Sequence, residues 1–249
     1  MNIALIGYGK MGREIEAIAL ERNHSIVLKI TSANRDELTP VNLQKADAAI
    51  EFTTPEAAAG NILFCLENNI PVVSGSTGWY ERRSEIEAIC KKNNGALLTA
   101  SNFSIGVNIF FEINKLLARL MNRQPGYEMS MTEIHHTAKK DAPSGTAITL
   151  AEHILEAVGR KKKWVNEKTM TPEELSILSE RIDPAAGTHI VTYNSLADSI
   201  EIKHTAHNRS GFALGAVLAA EYIHHKKGIF TMHDVLGLYP GSPETETHA

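Results

Sequence analysis

The chain has 249 residues, 43% apolar and 22% charged, which is ordinary for one large or two modest globular domains. A formal net charge of −4 and a pI near 6.3 exclude a global basic field of the kind that nucleic acid or anionic membrane requires, so any anion recognition is local. The two cysteines, Cys65 and Cys90, are too few for a disulfide framework, show no metal-ligand spacing and read as buried free thiols.

The N-terminal sequence MNIALIGYGKMG starts directly on a strand-like run, with no targeting segment or membrane span, giving the expectation of a cytoplasmic protein. NIALIG is a buried strand, Arg13 to Arg22 an amphipathic helix, and SIVLKIT, AAIEFT, IPVVSG and ALLTASN four further strands. Helices fall between them at PEAAAGNILFCLENN and at 80–94. The crossover 32–47 offers little helix and reads as a loop. Strands alternating with helices predict an α/β fold whose N-terminal part is a Rossmann-like, doubly wound parallel sheet.

After Asn102 the pattern changes. IGVNIFFEINKLLARLMN reads as a long helix, YEMSMTEIHH as an alternating strand and GTAITLAEHILEAVG as a helix. THIVTYNS and DSIEIKHTA read as paired strands, and GFALGAVLAAEYIHHK as a last helix. The expected second lobe is a mixed α+β domain over 106–209, with 1–105 and 210–249 forming the dinucleotide-binding domain. GRKKKW reads as a solvated loop, the His224-His225 pair carries no assigned role, and the tail YPGSPETETHA has the composition of a frayed end.

Gly7, Gly9 and Gly12 make G-x-G-x-x-G directly between a strand and a helix, enclosing Tyr8, Lys10 and Met11. Glycines there permit a tight turn and bring backbone N–H groups and a helix N-terminus to a diphosphate, so the loop is a candidate dinucleotide site. At the end of the second strand, Ser32, Asn34 and Arg35 precede the first acid, Asp36, which favours tolerance of a 2′-phosphate and hence NADPH over strict NADH. Gly75, Ser76 and Thr77, then Ala100, Ser101, Asn102 and Phe103, follow the fourth and fifth strands, where such sheets bind ligands.

EIHHTAKKDAPSGTA concentrates proton chemistry and positive charge before a helix. His135 and His136 suit acid work or anion binding, and Lys139 supplies a point charge. Ser144 or Thr146 can cap the helix while the N–H groups of Gly145 and Thr146 meet a carboxylate. Arg209, in HTAHNRSGF, offers a planar fork for a second carboxylate. Metal ligation by the histidine pair is not expected, for want of partners at ligand spacing.

The run EIHHTAKKDAPSGTA resembles the E-x-H-H-x-x-K-x-D-x-P-S-G-T-A signature of the 4-hydroxy-tetrahydrodipicolinate reductase (dihydrodipicolinate reductase) family. EFTTPE, GSTGW, NFSIGVN and HTAHNRSGFALGA follow in the family's order. The resemblance implies NAD(P)H-dependent reduction of a cyclic dicarboxylate in lysine and diaminopimelate biosynthesis by a homotetramer. It implies proton donation by His135 or Lys139, and substrate binding by His136, Gly145 and Thr146. The glycine loop, 75–77 and 100–103 would contact the cofactor. Other readings are a different two-lobed dehydrogenase of the aspartate dehydrogenase type, and a non-catalytic dinucleotide sensor.

Overall fold

A computed structural model describes residues 1–239; all but the first residue of the tail read above as frayed lies outside them. By its contacts the chain divides into two units, Met1–Ile105 with the segment from Arg209 onward, and Gly106–Asn208.

The first unit is a six-stranded, all-parallel sheet of β1 (Asn2–Ile6), β2 (Ser25–Ile30), β3 (Ala48–Glu51), β4 (Val72–Ser74), β5 (Ala96–Thr99) and β11 (Gly228–Phe230). Its order is β11-β5-β4-β3-β1-β2. The central strands are buried along nearly their whole length because helices cover both faces, which is why they read as continuous apolar runs. Helices α1 (Lys10–Glu21) and α7 (Ser210–Ile223) share one core with Ile3, Leu5, Ile50 and Leu98. On the other face, α3 (Pro55–Glu67) and α4 (Arg83–Lys92) bury Ile62, Leu66 and Ile86. Each such side chain contributes about 1.5–3 kcal/mol on burial. A bidentate pair, Arg22 Nε and Nη2 to Glu221 at 2.8 Å, ties α1 to α7.

Strand β1 has β2 on one side and β3 on the other, so the chain reverses its direction of winding there, and a ligand crevice opens at such a point. The crossover from β2 to β3 carries no strand. It contains a 3-10 turn at Arg35–Glu37 and one helical turn, α2 (Pro40–Leu43), with Pro40 at its first position and Thr39 accepting from Asn42 N–H. The loop expected over 32–47 is therefore close to what is built.

The second unit is a five-stranded mixed sheet in the order β10-β9-β6-β8-β7. Its strands are β6 (Glu128–His135), β7 (Lys163–Val165), β8 (Glu174–Arg181), β9 (Gly187–Asn194) and β10 (Ser199–Ala206). The expected pairing of β9 with β10 is antiparallel over all eight residues. Helices α5 (Ile105–Met121) and α6 (Gly145–Ala157) pack on one sheet face, placing Phe110, Leu150 and Ile154 against Met129, Ile177 and Tyr193. Buried Asn114 crosses between the helices and donates to Leu150 O at 3.0 Å.

The run GRKKKW is not a solvated loop. Arg160 donates to the carbonyls of Met121, Asn122, Gln124 and Tyr127 at and beyond the end of α5, where backbone acceptors lack helical partners. Lys161 is 2% exposed, paired with Glu128 and donating to Glu174 O at 2.8 Å. Lys163–Val165 then joins the sheet as β7. Four basic residues in a row conceal this, since only the fold decides which of them turns inward.

Candidate active site

Two clusters of polar residues form, one in each unit. In the first, Gly7 leaves β1 with φ +100°, and Gly9 caps α1. A Cβ on Gly7 would stand 2.0 Å from Phe52 O, so the glycine lets the turn lie against the end of β3. A Cβ on Gly9 would meet nothing within 4 Å, leaving the helix N-terminus open. A cavity of about 590 Å³ lies over it, lined by Gly7, Tyr8, Gly9, Thr31, Ser32, Arg35 and Phe52 among others. An open helix N-terminus, a glycine-flanked turn and a basic residue, Arg35, in the lining fit a dinucleotide.

The expected cofactor contacts fall in several places. Lys10 and Met11 begin α1, Lys10 exposed and Met11 packed against the core, and Gly12 sits a short distance from Gly7 O. Ser32 lines the cavity. Asn34 does not, and its amide is engaged within the turn: Oδ1 accepts from Thr31 N and Oγ1, and Nδ2 donates to Lys29 O and Glu37. Gly75 packs on the Phe52 ring, Ser76 is buried and Thr77 is exposed. Phe103 is buried against Phe52 with ring centroids 5.6 Å apart, while Ala100 and Asn102 are half-buried and Ser101 exposed.

One residue that sequence reading left without a role organises these loops. Glu51 is fully buried at the end of β3 and accepts from Ser74 Oγ (2.6 Å), Ser76 Oγ (3.0 Å) and Thr53 N (2.9 Å), and from the Thr53 hydroxyl. It ties the loop after β3 to the loop after β4. The sequence signal is an acid ending an otherwise apolar strand.

In the second unit, His135 ends β6. Register sets Glu133 opposite His189 of β9 and His135 opposite Arg181 of β8. Glu133 is fully buried; its two oxygens accept from Ser144 N at 3.1 Å, and Arg181 Nη2 stands 3.3 Å from Oε1. His135 Nδ1 lies 3.5 Å and His189 Nε2 3.7 Å from Oε2. Burial pushes the Glu133 carboxyl up, but hydrogen bonding from His189 and Ser144 outweighs it and holds the group well below the usual carboxylate range. For His135, burial is the leading cause of a pKa lowered to about 4, against the opposing pull of Glu133, so the free imidazole is neutral at pH 7.

Ser144 caps α6 through its side chain, as expected, accepting from Ala147 N–H at 3.2 Å; its hydroxyl also meets His189 Nε2 at 3.1 Å. Gly145 and the half-buried Thr146 form the first positions of that helix, with open space at Gly145. β6 ends at His135, and half-buried His136 follows it. Lys139 pairs with both oxygens of Asp141 at 2.8 Å, and Lys140 is exposed. Arg209 is exposed and caps α7, so it is counted with the first unit.

Glu133, Arg181 and His189 were missed as site residues because they meet only through strand register. Glu133, His135 and His189 also bring three donor atoms within 4.8 Å of one another, so a ligand-like set is present where sequence spacing showed none. Among the described residues no helix is long and apolar enough to cross a membrane.

The N-terminal model of dihydrodipicolinate reductase matches residues 1–103 and the C-terminal model residues 106–236. The 4-hydroxy-tetrahydrodipicolinate reductase of Christiangramia forsetii is 50% identical over 95% of this chain and 98% of its own. That of Neisseria gonorrhoeae is 34% identical over 90% and 84%. The dihydrodipicolinate reductase of Paenisporosarcina sp. TG-14 shares the fold, with a TM-score of 0.78 at 23% identity over 94% and 98% of the two chains. With both halves matched in order and half the residues shared with a full-length relative, the chain belongs to the dihydrodipicolinate reductase family and is an NAD(P)H-dependent oxidoreductase.

Proposed function

We propose that the chain reduces 4-hydroxy-tetrahydrodipicolinate to tetrahydrodipicolinate, with the first unit binding NAD(P)H and the second holding the substrate. The observation that carries the substrate side is the sequence of a buried imidazole, a lysine and an open, Ser144-capped helix start within one short segment. The Paenisporosarcina relative was solved with dipicolinate, a ring bearing two carboxylates. Here the Gly145 and Thr146 amides, with His136, hold a carboxylate.

The bound cofactor supplies the hydride to a ring carbon after loss of water from the 4-hydroxy form. A proton from His135 or Lys139 quenches the charge that builds on the ring. Because burial keeps His135 neutral in the free protein, it takes up its proton together with the anionic substrate. Arg35 lines the cleft and Asp36 does not, which supports NADPH over NADH. The second sheet is packed by helices on one face and leaves Leu178 37% exposed, which supports the homotetramer.

His135→Gln and Lys139→Ala, assayed by loss of NADPH absorbance with fresh substrate, should each lose about 100-fold or more in kcat with cofactor affinity intact. Near-wild-type turnover in both overturns the proton-donor assignment. Arg35→Ala should weaken NADPH much more than NADH, and equal loss of both would refute the 2′-phosphate reading.

A further inference from the structure

Glu133 sits two residues before His135 on β6, so both side chains leave the same face of the strand. Its carboxylate touches three separate parts of the site. One is the backbone N–H of Ser144, which fixes where the Gly145–Thr146 helix start lies. A second is Arg181, whose guanidinium also reaches Asp141 O at 2.6 Å and Lys139 O at 3.4 Å, so the lysine-bearing loop hangs from the same carboxylate. The third is the imidazole.

His135 Nδ1 is buried with no hydrogen-bond partner in this geometry, and Glu133 Oε2 lies 3.5 Å from it. A protonated ring gains an N–H at Nδ1, and a shift of a few tenths of an ångström closes that bond. The opposite nitrogen, Nε2, lies 3.2 Å from where a Cβ on Gly187 would stand, so any larger residue at 187 would press on it. Nδ1 thus faces a fixed carboxylate, and the residue beside Nε2 is a glycine, which brings no side chain against it.

We propose that Glu133 is a positioning residue for the reduction: its buried carboxylate orients His135 through Nδ1, leaves Nε2 to give the proton, and sets the carboxylate-binding helix start through Ser144 N–H. This rests on the reading of His135 as proton donor. In the step itself the Nε2–H bond breaks and the proton passes to the substrate ring. The imidazole returns to neutral, and Glu133 keeps its charge throughout.

The charged and titratable groups facing His135 are Glu133 on its own strand, His189 from β9, Arg181 from β8 and Lys139 from the following loop. Glu133 alone among them favours the imidazolium, which makes its removal readable in a pH profile. The test is Glu133→Gln, alone and combined with His135→Gln, in the full-length protein with kcat, KM and NADPH affinity measured. Glu133→Gln should lose about tenfold or more in kcat, move the alkaline limb of kcat down by about one pH unit or more, and leave NADPH affinity unchanged. In the His135→Gln background the same change should cost no more than about threefold in kcat, because the imidazole it orients is gone, and the loss through the Ser144 helix start should show in KM.

Equal losses in both backgrounds, or an unmoved limb, overturn the proposal. If His135→Gln alone turns over like wild type, the proton-donor reading falls first and takes this one with it. Glu133→Asp guards against a misfolded glutamine variant: it keeps the charge, and should retain the wild-type limb with an intermediate kcat. An aspartate no better than glutamine, in a protein that binds NADPH normally, also refutes it.

Discussion

Replacing Gly7 with alanine tests the geometry of the nucleotide cleft most directly. Two costs fall on the one methyl group. The backbone at φ +100° strains any residue with a Cβ, by about 1–3 kcal/mol. The methyl would stand 2.0 Å from Phe52 O, where ordinary contact begins at 3.4 Å, so one of two backbone segments must move by roughly 1.4 Å. Overpacking of that kind costs about 1–3 kcal/mol.

Together these take about 2–6 kcal/mol from a stability of about 5–15, lowering Tm by roughly 4–24 °C. Phe52 and the Gly7 turn are both walls of the cavity, so misplacing two backbone donors at about 1 kcal/mol each weakens NADPH by about 30-fold. Gly9→Ala is the control. Its methyl meets nothing within 4 Å, so Tm should move by no more than a few degrees. It stands at the open helix start, however, so NADPH affinity should still fall. Thermal melts and fluorescence titration with NADPH read both quantities. Equal melting losses in the two variants, or wild-type binding by Gly7→Ala, would refute the close approach.

Two further predictions follow from buried charge. His135 has a pKa lowered to about 4, against about 6.5 in the unfolded chain, so the unfolded state binds more protons between those values. The contribution is complete above about pH 6.5 and is lost as pH falls toward 4, by about 3 kcal/mol in all. Melting curves from pH 7 to 4 should show wild type losing more stability than His135→Gln, and parallel curves would contradict this. For the Lys161–Glu128 pair, the lysine side chain is 1% exposed and the glutamate 66%. Glu128→Ala leaves a buried ammonium with no counter-charge and should cost about 2–3 kcal/mol, whereas Lys161→Met leaves no buried charge, only Glu174 O without that donor, and should cost about 1 or less by urea denaturation. The reverse order would refute the assignment of which partner is buried.

Much of the first unit could be read in the chain because each central strand is a short apolar run bounded by glycine or a polar turn. β11 could not: three residues, GIF, carry no period and owe their place to pairing with β5 across more than a hundred residues. β7 is equally short and hidden in a charged run, and β8, ELSILSER, mixes serine and glutamate with its buried positions. At the site, residues joined by local chemistry were legible, such as Ser144 capping α6. Those joined by register were not. Glu133 meets His189 and His135 meets Arg181 only because three strands align as they do, and a one-residue slip would send each to the other face.

The strandless crossover after β2 has a consequence for how cofactor choice can change. β2 is the last strand of its sheet, so nothing in the ladder lies beyond the segment 31–39. That segment keeps its shape through its own short-range bonds, chiefly Asn34 to Thr31 and to Lys29 O, and it carries Ser32 and Arg35 at the cleft. It is a detachable part: a graft of another sequence there rewrites the far end of the nucleotide cleft while every strand pairing stays as it is.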